Sequence, residues 1–250
     1  MSAADSIRME GLSYSVGGRR ILEEFDFSLD RGVNRTILGI SGAGKTTILK
    51  LLLGLLQPDT GRVSIGDVCI TGRPESDFME IRKRIAVVFQ GGALFDSMTV
   101  GENVGYRLFE EGRLSQAEIE QIVLEKLSFV GVEPALDLYP AELSGGMKKR
   151  VAIARALAAD PDYIFFDEPT TGLDPIGVYN ICNLIQRLQA EGKTTLLVTH
   201  DLATAFSISQ RFTFLHQARM IFEGTEAEMR GSGIPEVQQF LQPTDESLFV

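Results

Sequence analysis

Gly39-Ile40-Ser41-Gly42-Ala43-Gly44-Lys45-Thr46-Thr47 is the stretch that decides the fold of this chain. It overlaps the end of a predicted strand at residues 36–40 and leads into a predicted helix at residues 45–56. The pattern G-x-x-x-x-G-K-[ST] between a strand and a helix is typical of a loop that binds nucleotide phosphates. Glycines let successive backbone N–H groups point at an anion, and the helix N-terminus adds partial positive charge. We therefore expect Lys45 to reach the β- and γ-phosphates and the Thr46 hydroxyl to bind Mg²⁺.

Two carboxylates follow another apolar strand, predicted at residues 163–166, and they are Asp167 and Glu168. We expect Asp167 to hold the metal ion and Glu168 to polarise the attacking water, because alternate side chains of a strand point apart. His200 directly follows the apolar residues 196–199. Parallel strands bring their carboxyl ends to one edge of an open sheet, so we expect these side chains and the phosphate loop to converge there.

The rest of the chain alternates strands and helices after an N-terminal hairpin. Residues 7–16 and 21–29 flank Gly17-Gly18 and predict two antiparallel strands, while residues 93–160 carry mostly helical signals. The expected fold is one α/β domain over residues 1–250, with a mixed, mainly parallel sheet, helices on both faces, an antiparallel N-terminal part and a helical subdomain at about residues 93–160. Other predicted strands are residues 62–68, 85–90, 194–199, 212–216 and 220–222, and other predicted helices are residues 115–130, the segment after Ser144, 175–190 and 203–208.

Composition and charge exclude several classes of function. The 250 residues include 24 Lys+Arg against 34 Asp+Glu, a net charge of −10, and such an acidic chain repels the phosphate backbone of nucleic acids. Cys69 and Cys182 fit a reducing compartment and are predicted to be small buried apolar residues. The first ten residues do not resemble a signal peptide, and no apolar stretch approaches the ~20 residues that span a bilayer. We expect a soluble, cytosolic protein that reaches a membrane only through a partner.

The segment Leu143-Ser144-Gly145-Gly146-Met147 lies between the two nucleotide motifs and narrows the choice of protein family. The order of phosphate loop, Gln90 after a strand, LSGGM, Asp-Glu and His resembles the ATPase subunits of ABC transporters, from Tyr14 to about Leu241. The resemblance implies ATP and Mg²⁺ as cofactors and a homodimer in which two copies sandwich two ATP molecules. The serine and glycines also form a helix N-terminus suited to an anion, although the chain has only one lysine-bearing phosphate loop. That second anion site therefore fits a nucleotide held by another subunit.

The same resemblance implies a role for each matching residue. Tyr14 matches the aromatic residue that stacks on adenine, and Gln90 matches the glutamine that senses the γ-phosphate and Mg²⁺. Ser144, Gly145 and Gly146 match the signature that binds the partner's γ-phosphate. Asp174, at the end of the segment TTGLD, matches the loop that crosses the dimer interface, and His200 matches the γ-phosphate histidine. Together with Glu168 and Lys45, these residues are the predicted catalytic and ATP-binding set.

A more particular resemblance lies in residues 89–104, FQGGALFDSMTVGENV, which are similar to lipid-transporting ATPases of Mla/Mce systems. Met147 and the segment VQQFL ending at Leu241 point the same way, whereas the short tail after Leu241 departs from the pattern. The resemblance implies a phospholipid transporter that maintains outer-membrane lipid asymmetry. It also implies a permease docked near residues 90–104, an MCE-domain protein in the complex, and a peripheral location on the cytoplasmic face of the inner membrane. Phe89, Leu94 and Phe95 are either core residues or part of a groove for a short permease helix.

Alternatives stay open at this point. An ABC ATPase for an ion, amino acid, drug or other solute would carry the same motifs. A soluble ABC-type ATPase acting on DNA or ribosomes is disfavoured by the acidic charge, by the single ATPase half and by the lack of a coiled-coil insertion. A non-hydrolysing module is expected to have lost Glu168 or His200. The basic runs Arg82-Lys83-Arg84 and Lys148-Lys149-Arg150 are predicted to be solvated faces, or else contacts with a partner or phosphate.

Overall fold

The computed structural model describes residues 6–242, so the first residues of the chain and the tail discussed above lie outside the described part. The strands are β1 (Ser6–Val16), β2 (Arg19–Asp30), β3 (Arg35–Leu38), β4 (Thr60–Ile65), β5 (Val68–Cys69), β6 (Ile85–Val88), β7 (Tyr163–Asp167), β8 (Thr194–Thr199), β9 (Arg211–His216) and β10 (Arg219–Gly224). The α-helices are α1 (Lys45–Leu52), α2 (Met79–Arg82), α3 (Val100–Glu111), α4 (Gln116–Phe129), α5 (Gly145–Leu157), α6 (Pro175–Ala190), α7 (Leu202–Ile208), α8 (Glu226–Arg230) and α9 (Pro235–Leu241).

The chain divides into two compact units, of which the first comprises residues 6–82 and 194–242. In it, β1 pairs antiparallel with β2 and β4, and β4 pairs with β5. β3 pairs in parallel with β8 and β9, and β10 closes this group antiparallel to β9. Phe212 and Phe214 of β9 pack with Leu38, Ala205 and Met229 in a fully buried cluster. This core fixes the end of β3, from which the phosphate loop starts.

The N-terminal hairpin agrees with its prediction. β1 and β2 run antiparallel, with Val16 opposite Arg19 across Gly17 and Gly18. These glycines have φ values of +55° and +80°, a left-handed conformation that residues with a Cβ rarely adopt. The turn therefore depends on its two glycines.

The second unit comprises residues 83–193. It contains the parallel pair β6 and β7, the helix α6, and the helices α3, α4 and α5, which contact one another. A capping box starts α4, because Ser115 accepts from the Glu118 N–H and Glu118 accepts from the Ser115 N–H. Thr99 and Glu102 make the same arrangement at the start of α3. These capped helices all fall inside the predicted helical subdomain, whose bounds stay a prediction.

The structure differs from the predicted elements at several places. α1 ends at Leu52 rather than at residue 56, because Gly54 adopts a φ of +66° and packs so closely on the Phe78 ring that a Cβ would lie 2.9 Å from it. The strand predicted over residues 62–68 is two strands, β4 and β5, separated by a turn at Gly66. Cys182 is buried as predicted, whereas the prediction for Cys69 is wrong, since it lies half-buried on the edge strand β5.

None of the helices within residues 6–242 is long and apolar enough to cross a bilayer.

Candidate functional site

The phosphate loop occupies residues 39–44, between β3 and α1. Gly42 and Gly44 have φ values of +78° and +103°, which only glycine adopts without strain. Gly44 is the cap of α1 and has no side chain that could accept from the helix N–H groups. The N-terminus of α1 thus presents backbone donors and partial positive charge, the arrangement that suits a phosphate group.

Two of the loop glycines are also required by space. A Cβ on Gly39 would lie 2.6 Å from the backbone oxygen of Leu215, and a Cβ on Gly44 would lie 3.0 Å from Cγ2 of Ile21. Neither steric clash can be relieved by rotating a long flexible side chain, because a backbone oxygen lies within 3.1 Å of the added Cβ in each case. Tertiary packing therefore holds the loop against β2 and β9 at both ends.

Lys45 is the first residue of α1 and is buried. Its Nζ donates to the backbone oxygens of Gly39 and Ile40, at 2.8 and 3.0 Å. The ammonium group is consequently held against the backbone of the loop itself. Thr46 follows in the first turn, as the motif requires for a hydroxyl that binds Mg²⁺.

A cleft of about 590 Å³ opens beside this loop and is lined on one side by residues 40–43. Tyr14, the predicted adenine-stacking residue, is not among its lining residues and lies half-buried in β1 opposite Leu22. The basic pair that follows the Gly-Gly turn is a signal that could have indicated the cleft. The other residues that line the cleft, which sequence reasoning missed, are Arg19, Arg20, Ile21 and Glu23 of β2, and Gln217 and Ala218 of the β9–β10 turn.

His200 lies close to the phosphate loop in the strand register. β3 and β8 are parallel neighbours, with Leu38 opposite Thr199. Gly39 and His200 directly follow these two strands. The phosphate loop and His200 therefore leave the same edge of the sheet in the first unit, as expected. The His200 side chain is exposed.

In the second unit, the predicted metal carboxylate ends β7. Asp167 is buried, and the preceding Phe166 lies opposite Val88 of β6. Gln90 follows β6 two residues later, so the glutamine and the carboxylate leave adjacent parallel strands at the same edge. This register supports the prediction that they serve one site.

Glu168 lies beyond the end of β7, which sequence reasoning did not foresee. β7 ends at Asp167, and Glu168 adopts a φ of +47°, so strand alternation does not apply to it. This left-handed backbone turns the chain at the carboxylate, which is buried. The Thr171 hydroxyl donates to Glu168 Oε2 at 3.5 Å and lies in the loop that leads to Asp174.

The prediction that the basic run at residues 148–150 is a solvated face is wrong for Lys149. Lys149 is not part of a solvated face, because its side chain is buried and its Nζ donates to the backbone oxygens of Gln90 and Glu168. Burial lowers the pKa of Lys149, and the negative charges of Asp167 and Glu168 oppose that shift. A cation that sequence reasoning missed therefore lies beside the two carboxylates.

The signature segment forms the start of α5. Ser144 is the helix cap, and its Oγ accepts from the Met147 N–H at 3.3 Å. Ser144 and Gly145 are exposed, and a Cβ on Gly145 would meet nothing within 4 Å. The helix N-terminus is thus accessible to an anion from outside the chain. Asp174 caps α6 in the same way and accepts from the Gly177 N–H at 2.6 Å.

The predicted Mg²⁺ ligands are one hydroxyl, one amide and one carboxylate, from Thr46, Gln90 and Asp167. No group of three or more His, Cys, Asp or Glu side chains that could hold a metal ion occurs in residues 6–242. The set of Thr46, Gln90 and Asp167 fits Mg²⁺, which is usually bound by one or two carboxylates together with substrate phosphates and water rather than by a full protein cage.

Comparisons with known proteins agree with this geometry. The family model described as ABC transporter matches residues 22–171. The chain is 40% identical over 237 residues to the intermembrane phospholipid transport system ATP-binding protein MlaF of Haemophilus influenzae, covering 94% of this chain and 90% of that protein. It is 38% identical to MlaF of Escherichia coli strain K12 over 241 residues, which cover 96% of this chain and 90% of the relative. The probable ribonucleotide transport ATP-binding protein mkl of Mycobacterium tuberculosis strain H37Rv is 38% identical, and the match covers 94% of this chain and 66% of that protein.

Among solved structures, a dimeric post-hydrolysis state of the ATP-binding cassette MJ0796 with ADP and Pi has a TM-score of 0.81 and 31% identity. The match covers 88% of this chain and 98% of that cassette. The predicted fold class is confirmed by this similarity together with the antiparallel N-terminal sheet, the parallel strands and the helices α3–α5. The phosphate loop, the family match and the relatives agree, and the chain belongs to the ABC transporter family as one of its ATP-hydrolysing, nucleotide-binding subunits.

Proposed function

We propose that this ATPase uses the residues assembled above to power a phospholipid transporter. The observation that carries the nucleotide part is the loop at residues 39–44, whose backbone oxygens at Gly39 and Ile40 accept from the buried Lys45 ammonium group at the start of α1. The lipid part is supported by the MlaF proteins, which are ATP-binding proteins of the intermembrane phospholipid transport system and which match over 90% of their length.

In this proposal each residue of the site has one task in phosphoryl transfer. Lys45 and the N-terminus of α1 bind the β- and γ-phosphates. Thr46, Gln90 and Asp167 hold Mg²⁺, which neutralises charge on the phosphate oxygens. Glu168 orients and polarises the water that attacks the γ-phosphorus and accepts its proton, as ADP departs.

His200, which directly follows the strand next to the loop, contacts the γ-phosphate. Tyr14 keeps its proposed contact with adenine, although the cleft beside the loop is lined by other residues. The cleft's size and its position next to residues 40–43 support a place for the ribose and phosphates there.

The test of the site uses two substitutions with different expected results. Glu168→Gln keeps the size and hydrogen bonding of the side chain but removes the base, so turnover should fall by about 10²- to 10⁴-fold while ATP still binds. Lys45→Ala removes the ammonium group from the phosphate loop, so both ATP affinity and turnover should fall. Release of inorganic phosphate measures turnover, and a fluorescent ATP analogue measures binding. Near-normal hydrolysis by both variants would contradict the assignment.

The partners in this proposal are a second copy of the chain and an integral-membrane permease. Two copies would sandwich two ATP molecules, each between the phosphate loop of one copy and Ser144–Gly146 and Asp174 of the other. The dimeric MJ0796 cassettes support this assembly. We further propose an MCE-domain protein in the complex and a peripheral position on the cytoplasmic face of the inner membrane.

The proposed permease contact lies at Leu94 and Phe95, just beyond Gln90. Phe95 is 41% exposed, and its ring lies 4.8 Å from that of Tyr106 and 5.8 Å from the guanidinium of Arg155. Tyr106 and Arg155 thus hold the ring in place, while part of it remains exposed to solvent. A short amphipathic helix could insert an apolar side chain there.

The permease contact is tested by Phe95→Asp, which places a charge in the proposed apolar contact. Binding of the chain to membranes that contain the permease should be lost, because an unpaired charge is costly to bury. Hydrolysis by the isolated chain should persist, since Phe95 is not a member of the site. Fractionation of cells with and without the permease gene measures the membrane-bound share.

Phe109→Asp is the matched control for that experiment. Phe109 lies on α3 in the same unit and is 48% exposed, so the two variants add the same charge at similar exposure. Membrane recovery that does not depend on the permease, or equal recovery of both variants, would contradict the docking assignment. If the docked permease carries another solute and no MCE-domain protein is in the complex, the ATPase assignment stands and the lipid assignment fails.

A further inference from the structure

Lys149 is a buried cation that the proposed reaction does not use. Its side chain lies on α5, four residues into the helix that begins at the signature, and it is only 8% exposed. Its Nζ donates to the backbone oxygen of Gln90 and, at 3.4 Å, to that of Glu168. An ammonium group has three donors, and here two of them join segments that follow different strands, β6 and β7.

The segment that follows Gln90 is bound to α5 at two more points. Arg155 donates to the oxygens of Gly92 and Ala93, at 2.9 and 2.7 Å. Gly92 also lies beside the helix, because a Cβ there would be in van der Waals contact with that of Ala152, at 3.4 Å. The loop at residues 90–93 is therefore hydrogen-bonded to α5 at both ends, by Lys149 at Gln90 and by Arg155 at Gly92 and Ala93.

The backbone at Glu168 needs a holding contact. Its φ of +47° is a conformation that residues with a Cβ keep only where neighbouring groups fix it. The Glu168 oxygen accepts from the Thr171 N–H at 3.3 Å and from Lys149. Of these two donors, Lys149 alone is also bonded to the Gln90 segment.

We infer that Lys149 positions Glu168 by holding the backbone oxygens of Gln90 and Glu168 on one ammonium group. The loop that carries the γ-phosphate sensor and the carboxylate that polarises water then keep a fixed separation. A displacement of the loop moves Glu168 with it. This inference rests on the proposed function, because it assigns Glu168 as the base.

The experiment compares Lys149→Met, Lys149→Arg and the neighbouring control Lys148→Met in the full-length chain. Lys149→Met keeps most of the side-chain length and removes both bonds, so kcat should fall by about 10- to 100-fold, the usual effect of a misplaced catalytic group. KM for ATP should change by less than about twofold, because Lys45 and the N-terminus of α1, which bind the β- and γ-phosphates in this proposal, are untouched. Lys149→Arg should restore most of kcat, since a guanidinium group can donate to both oxygens. Lys148 is less buried than Lys149, and its substitution should leave both constants unchanged.

Thermal unfolding of each variant separates positioning from a general structural role. A wild-type kcat for Lys149→Met would overturn the inference. So would a loss of kcat that follows a lowered melting temperature and is not rescued by Lys149→Arg. If Lys149→Met does not fold, Lys149→Gln decides, because its amide reaches one oxygen only and kcat should still fall; an unchanged kcat overturns the inference.

Glu168→Gln distinguishes this inference from the proposed function. If Glu168→Gln abolishes turnover while Lys149→Met is normal, only the inference fails. If Glu168→Gln hydrolyses ATP normally, the assignment of the base fails first. In the Glu168→Gln background, Lys149→Met should cause no further loss of the residual rate, because the group that it positions is already inactive.

Discussion

Gly39 directly follows β3, and its environment sets the position of the phosphate loop. A Cβ at this residue would lie 2.6 Å from the Leu215 oxygen and 3.3 Å from the Ala43 Cβ. Since Leu215 lies in β9, a parallel neighbour of β3, the oxygen cannot move without shifting a core strand. The first glycine of the motif is therefore required by sheet packing.

Gly39→Ala should lower the free energy of unfolding by about 1–3 kcal/mol, because the added methyl group overpacks a buried contact. The loop should also shift, so ATP affinity should fall. Urea unfolding and ATP binding measure the two effects. Gly91→Ala is the control for stability, since a Cβ on Gly91 meets nothing within 4 Å. Equal stability of the two variants would contradict this account of Gly39.

The turn before α3 depends on one buried amide side chain. Asn103 is fully buried, and its Oδ1 accepts from the Phe95 N–H at 2.8 Å. Its Nδ2 group lies within 3.1 Å of the backbone oxygens of Phe95, Met98 and Thr99. The helix α3 thereby organises the segment that contains the proposed permease contact.

Asn103→Ala should destabilise the protein by about 1–3 kcal/mol or more, because it leaves buried backbone groups without partners. Hydrogen exchange at residues 95–99 should increase for the same reason, while α1 and the phosphate loop keep their protection. Asn180→Ala, on the exposed side of α6, is a matched control. If both variants unfold at the same urea concentration, the amide does not organise this turn.

At the scale of the whole molecule, the signature at the start of α5 fits the nucleotide of another copy. Ser144 is exposed and caps the helix, and the chain has one phosphate loop of its own. Closure of two copies on two ATP molecules would therefore bring each exposed helix N-terminus to a γ-phosphate.

Ser144→Arg should block ATP-driven dimerisation, because a bulky side chain occupies the place where the backbone must approach phosphate. The test uses light scattering in a Glu168→Gln background, in which ATP is held without rapid hydrolysis. Binding of ATP to the monomer should be unchanged. Ser115→Arg removes the equivalent cap of α4 and should leave the dimer intact. Dimers of normal stability in Ser144→Arg would contradict the contact across the two copies.

Several features of this protein could be predicted from local sequence. The phosphate loop, the hairpin at Gly17-Gly18, the capped start of α4 and the carboxylates after β7 follow from turn chemistry, hydrophobic periodicity and motif spacing. Each of these depends on residues that are close together in the chain. Local sequence therefore determined the position of the phosphate loop and of the carboxylates after β7.

The tertiary structure decided the features that depend on distant parts of the chain. Lys149 is part of a basic run that predicts a solvated face, yet it is buried because α5 packs against the segment after β6 and places the ammonium group beside backbone oxygens from two loops. The residues that line the cleft, Arg19 and Gln217 among them, come together only through the pairing of β2 with the β9–β10 turn, where Glu23 donates its N–H to Ala218. Burial and long-range hydrogen bonds are set by packing, and packing has no signature in a short stretch of sequence.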